Sequence, residues 1–180
     1  VDTDRRLYRF TADQLWRMID AGVIPNHSQV ELIRGRMYRM TKHAPHNYAV
    51  GQLDDLLRAI LPSGFHTREE KTLVHGKSSL PEPDLAIVRG RRADYTCTNP
   101  KTSDAVLIVE VCASTRTSDY RDKVRLYAQA HVPVYWVVDV DGRKIDVFTL
   151  PEGSGPEARY AKHSSHSEGS PVPVVIDGRE

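Results

Sequence analysis

Cysteine is nearly absent: Cys97 and Cys112 are the only two in 180 residues, which leaves no disulfide framework to build a fold on. Long apolar runs are missing too. None approaches the roughly 20 residues a membrane-spanning helix needs, and the first residues, VDTDRRLYRF, lack the apolar core of a secretory signal. A cytoplasmic protein is the expectation. Net charge is the third absence, with 25 Lys and Arg against 24 Asp and Glu, or +1. There is thus no overall pull toward a polyanion. Contact with a nucleic acid has to rest on local patches such as RGRMYRMTK (Arg34 to Lys42) and RGRR (Arg89 to Arg92), which from charge alone read as solvated strand ends and turns. What is present is 39% hydrophobic and 27% charged residues over a length suited to one domain with a real core. No internal repeat stands out.

Patterning predicts helix, hairpin, helix, strands, helix, strands. Thr11 with Gln14 three residues later forms a capping-box pattern before Leu15, Met18 and Ile19. VELIRGRMYRM predicts a hairpin, Val30 to Ile33 turning at Arg34-Gly35 into Arg36 to Met40. Val50, Leu53, Leu56, Leu57 and Ile60 recur at helical spacing, and this second helix is expected to pack on the hairpin. Phe65 to Val74 is expected to be a strand or a bent strand pair, and further strands are expected at Asp84 to Val88, Val134 to Val138 and Lys144 to Leu150, with Ala105 to Val111 (AVLIVEV) apolar enough to be central in the sheet. Ser118 or Asp119 can cap a helix that runs to about His131, with Val124, Tyr127 and Ala128 facing inward. The resulting class is α/β or α+β with a mixed sheet. Residues 1–150 form the domain, and the polar segment 151–180 is expected to be loop, with a weak last strand near Val172 to Ile176.

Glu110 is the odd residue in AVLIVEV, because a lone carboxylate among Val, Leu and Ile is costly to bury. Asp84, 26 positions earlier (110 − 84) at the start of its own strand, can stand beside it if the two strands pair. Two carboxylates that close repel unless a cation lies between them, and a hard divalent cation such as Mg²⁺ accepts oxygen ligands. Lys123, on the following helix, can lean back over the strand end to stabilise a carboxylate, position a water or offset phosphate charge. A buried salt bridge between Glu110 and Lys123 or an arginine accounts for the pattern equally well. HSSH (His163 to His166) is a lesser metal candidate, more simply read as solvated.

PEPDLAIV followed by LIVEVCASTRTSDYRDKVRLYAQAHVPVYWVVD resembles the bacterial Uma-type restriction endonuclease family, in the PD-(D/E)XK nuclease superfamily. The resemblance runs from YRFTADQLWRM to the strand ending near Leu150. Its specific part is the ordered series of proline-aspartate, glutamate-valine, Ser114-Thr115, Asp119, Lys123, Tyr127 and Tyr135-Trp136. It implies a restriction-endonuclease-like core with Asp84 and Glu110 as ligands to Mg²⁺ or Mn²⁺ and the backbone carbonyl of Val111 as a further ligand. The lysine usual two places after the glutamate falls at Cys112, a departure that leaves Lys123 as the substitute. Cys112 itself is expected to pack as a small apolar residue. Glu31 matches an acidic position of the family and His46 a histidine. Glu31 can hold a second cation or pair with Arg34 or Arg36, and His46 can contact a phosphate, shuttle protons or cap its helix. Glu70 is a further carboxylate that can point into the cleft, while Tyr127, Tyr135 and Trp136 read as core. The function implied is a metal-dependent endonuclease that hydrolyses DNA, with a homodimer as the fold-level analogy. The alternatives are a nuclease fold kept as a DNA-binding or assembly module without turnover, and a structural domain with Glu110 in a salt bridge.

Overall fold

The computed structural model describes residues 7–24, 30–40, 43–112 and 117–179, the side chains of 117–120 excepted. Ser114, Thr115 and the side chains of Ser118 and Asp119 therefore lie outside the described residues. A six-stranded mixed sheet of order β3-β4-β5-β6-β7-β8 forms the centre, and a separate hairpin, β1-β2, stands apart from it. The strands are β1 (Val30–Ile33), β2 (Arg36–Arg39), β3 (Phe65–Glu69), β4 (Leu85–Arg89), β5 (Ala105–Cys112), β6 (Val134–Asp139), β7 (Lys144–Glu152) and β8 (Arg159–Ser167); the helices are α1 (Ala12–Asp20), α2 (Ala44–Ala59) and α3 (Thr117–Gln129). The class and the central place of the AVLIVEV strand are as the sequence predicts. β5 is covered on both faces, antiparallel to β4 and parallel to β6. The β5-α3-β6 crossover is what allows that parallel pair.

Local chemistry explains the outer elements. Thr11 Oγ1 accepts from the Gln14 amide and Gln14 Oε1 from the Thr11 amide, so two otherwise orphaned donors start α1. Gly35 turns the hairpin at φ +76°, where a Cβ would meet Arg9 Cβ at 2.8 Å. Hairpin residues then alternate: Leu32 joins Leu15 and Leu80 in a small core under α1, while Ile33 and Tyr38 join the core beneath α3.

Three expectations change here. α2 packs not on the hairpin but on the opposite face of the large sheet, where Val50 and Leu57 join Leu85 and Ile87 of β4, Leu107 and Val109 of β5, and Trp136 of β6. Leu56 and Ile60 stay 65% and 57% exposed, because the buried face of the helix is the narrower Val50-Leu53-Leu57 stripe. The segment after Leu150 is not loop: β7 continues to Glu152, and β8 pairs with it from Lys144↔Ser167 to Glu152↔Arg159. Backbone hydrogen bonds hold this edge strand while most of its side chains remain exposed. Apart from Ile176, which bridges Arg179 in isolation, residues 172–176 form no strand. Val172, Val174, Val175 and Ile176 instead pack on the α2 face of the sheet. His163 and His166 sit three positions apart on β8, hence on opposite faces, so they cannot share an ion. His163 stacks on Phe148 and meets Asp146 at 3.2 Å.

Candidate active site

The register Leu85↔Val109 carries the chain backwards to Asp84 opposite Glu110, at one end of the sheet. β4 stops at Leu85, so β5 has an unpaired edge beyond Val109. The Val111 amide uses it to donate to Asp84 Oδ2 at 2.7 Å. Because the N–H and C=O of one strand residue point to the same side, the Val111 carbonyl faces Asp84 as well. From the other face of the sheet, α2 delivers His46, whose Nε2 lies 3.1 Å from Asp84 Oδ1. His46 does not cap its helix: the cap is His43, without a side-chain hydrogen bond. Glu70 follows directly after β3 at φ +50°, a turn that lets its amide donate to the Asp84 carbonyl at 3.1 Å. One ligand atom each from His46, Glu70 and Asp84 lies within 4.8 Å of the others.

Glu110 is held differently. Lys123 Nζ from α3 donates to Glu110 Oε2 at 2.9 Å and lies 3.1 Å from Glu31 Oε2, while the Tyr127 hydroxyl donates to Glu110 Oε1 at 2.7 Å. One ammonium thus serves two carboxylates, one from the hairpin and one from the central strand. Burial pushes the Glu110 carboxyl up to about 7, with the negative charges of Asp84 and Glu31 adding to the rise and the nearby Lys123 opposing it. Burial alone lowers the Lys123 ammonium, but Glu110 and Glu31 together hold it well above its ordinary range. Lys123 stays charged, and Glu110 sits at the edge of protonation near neutral pH. The hydrogen bond to Asp84 raises His46 from its ordinary value against the opposing effect of burial.

The residues singled out in the sequence therefore come together at one end of the sheet. The Glu110–Lys123 salt bridge forms and the Asp84 cluster forms beside it, but Glu110 is not a member of the three-residue group able to hold an ion. Glu31 pairs with Lys123 rather than with Arg34 or Arg36; Arg34 reaches Asp122 instead, at 3.8 Å. Cys112 is half-buried, and burial followed by the charge of Asp139 pushes its thiol up to about 11, so it is no nucleophile at neutral pH. Tyr127, read from sequence as core packing, is buried as expected and also orients Glu110. Its place four residues after Lys123, on the same helix face, was the available signal.

The donor set fits a divalent cation. Two carboxylates and an imidazole converge with ligand atoms close enough for one ion, and a carbonyl points to the same side. An imidazole ligand suits Mn²⁺ and later transition metals better than Mg²⁺, which prefers oxygen alone.

No curated protein matches the sequence. Among solved structures, the fold is similar to one described as a "putative nuclease belonging to DUF820" from Anabaena variabilis ATCC 29413, with a TM-score of 0.72 and 12% identity over 94% of this chain and 91% of that one. At that identity the likeness speaks for the fold. The family model Uma2, described as "Putative restriction endonuclease", matches residues 13–176, and the chain belongs to that family.

Proposed function

We propose that the chain is a metal-dependent nuclease that hydrolyses DNA phosphodiester bonds. The convergence of His46, Glu70 and Asp84 beside the Glu110–Lys123 pair carries this reading. His46 Nε2, the Glu70 and Asp84 carboxylates and the Val111 carbonyl would hold the ion, with Glu110 bordering it and Mn²⁺ favoured over Mg²⁺. When bound, such a cation supplies Lewis-acid stabilisation to the phosphoryl group. Glu110, which borders the ion, takes the proton of the attacking water. Tyr127 fixes the direction in which Glu110 points. Lys123 supplies the ammonium that the superfamily pattern places at position 112, and Glu31 anchors it from the hairpin. A homodimer, to cut both strands, and a cytoplasmic location accompany this reading.

One observation favours the competing module without turnover: the Lys123 ammonium is already shared by two carboxylates. Supercoiled plasmid incubated with purified protein and Mn²⁺ separates the two. The nuclease nicks or linearises it, and His46→Ala and Asp84→Asn each lose that activity. Plasmid left intact with Mn²⁺ and with Mg²⁺, by protein that still binds DNA, contradicts the nuclease.

A further inference from the structure

Several arginines meet a carboxylate: Arg89 meets Asp177 at 2.7 Å, Arg91 meets Asp94 at 3.0 Å and Arg159 meets Glu152 at 2.6 Å. Arg68 and Arg92 meet none among the described residues. Arg68 Nη2 reaches the Thr72 carbonyl and Asn99 Oδ1, both at 3.4 Å, and its buried Nε has no hydrogen-bond partner among the described residues. Arg92 Nη2 reaches the Thr67 carbonyl, again at 3.4 Å. Satisfied guanidinium bonds to anionic oxygens run to about 2.7–2.9 Å, so these contacts are long for a charged donor. Burial lowers the Arg68 guanidinium from its ordinary range, and the charge of Arg92 adds to the fall while Tyr95 opposes it. Arginine nevertheless remains protonated. Two cations therefore stand together with no anion between them.

Their position gives that charge a use. Arg68 pairs with Ala86 across β3-β4 and Ala86 with Ile108 across β4-β5, so Arg68 faces the same side of the sheet as Ile108 and Glu110. Strand geometry puts the Arg68 backbone about 10 Å across and about 7 Å back from that of Glu110. Arg68 is also two residues before Glu70. A polymeric anion with its reacting group at Asp84 and Glu110 and its chain running over the β3 edge carries another of its phosphates to this pair.

We propose that Arg68 and Arg92 form a phosphate-binding site that holds the nucleic-acid backbone beside the group being cleaved. The forked guanidiniums give bidentate donors to phosphate oxygens, and the bound phosphate relieves the repulsion between the two side chains. The site rests on the nuclease reading for its substrate but not for its test.

The test is fluorescence anisotropy of a short fluorescein-labelled single-stranded DNA in buffer free of divalent cations, with thermal unfolding of each variant alongside. Arg68→Gln and Arg92→Gln should each weaken binding about tenfold and make the log affinity against log salt slope shallower by about 0.7. Arg68→Lys, which keeps the charge and loses the fork, should fall in between. With no carboxylate partner to lose, Arg92→Gln should melt no lower than wild type. Unchanged affinity and salt slope in the double variant overturn the site and leave the nuclease standing. A marked fall in melting temperature on Arg92→Gln also overturns it, by assigning the pair to the fold. Protein that binds the oligonucleotide through these arginines yet leaves plasmid intact with Mn²⁺ and with Mg²⁺ keeps the site and removes the nuclease; wild type that binds no oligonucleotide overturns the site.

Discussion

Asp84 and Glu110 end up at the same end of one sheet and are neutralised in opposite ways. Asp84 receives a backbone amide and an imidazole, with Glu70 alongside; Glu110 receives an ammonium and a phenol. The first set consists of groups that a divalent cation can use or displace. The second already contains its cation, covalently attached to α3. A pair of carboxylates that looks symmetrical in the sequence thus divides into one beside a cluster of candidate ligands and one bonded to an ammonium and a phenol.

The largest effect should come from removing the built-in cation. Lys123→Ala leaves Glu110 and Glu31 buried without their shared ammonium, and breaking a buried pair in this way costs about 3–5 kcal/mol; chemical denaturation measures it. Adding Cys112→Lys to that variant should recover part of the loss, because position 112 shares a strand face with Glu110. Stability unchanged by Lys123→Ala would show that the two carboxylates do not depend on it.

Next comes the pH dependence of Glu110. Its carboxyl rises from an ordinary 4.5 to about 7 on folding, so its contribution to stability is whole below 4.5 and is lost as pH rises through 7. The loss is about 3 kcal/mol. Glu110→Gln should flatten the stability profile across that window; a wild-type profile already flat there contradicts the assignment.

Cation binding should separate the two carboxylates more directly. By calorimetry with Mn²⁺, Asp84→Asn should weaken affinity about 100-fold or more, equivalent to about 2.7 kcal/mol, whereas Glu110→Gln should change it by about tenfold, the lower end for a group that borders the ion. Equal losses would return Glu110 to the ligand set. The smallest change expected is Tyr127→Phe, which removes one hydrogen bond to a charged group and should cost about 1.5–2 kcal/mol of stability while leaving Mn²⁺ affinity near wild type.

Much of this arrangement could be read from residue order. The capping box at Thr11, the Arg34-Gly35 turn and the apolar β5 each declare themselves through short-range chemistry. Glu110 is conspicuous because a carboxylate in a doubly covered strand demands a partner, and that demand led to Asp84 and Lys123. β8 was hidden for the converse reason. RYAKHSSHS buries little, and a reading based on burial does not register an edge strand held by backbone pairing with β7. Val172 to Ile176 misled in the other direction, since their apolar character reflects packing on the α2 face rather than a strand. The side of the sheet on which α2 lies was also beyond local pattern, because helical spacing marks a buried stripe without naming what it packs on. The ring of Tyr127 reads as core, and only its place four residues after Lys123 points to its hydroxyl; Glu70 is legible as a carboxylate near the cleft, but not the left-handed turn that carries it there.

Anomalous diffraction from a crystal soaked in Mn²⁺ tests the central division most directly. The account predicts one peak in contact with His46 Nε2, Glu70 and Asp84, with Lys123 still bonded to Glu110. No peak, or a peak touched by neither His46 nor Glu70, contradicts it.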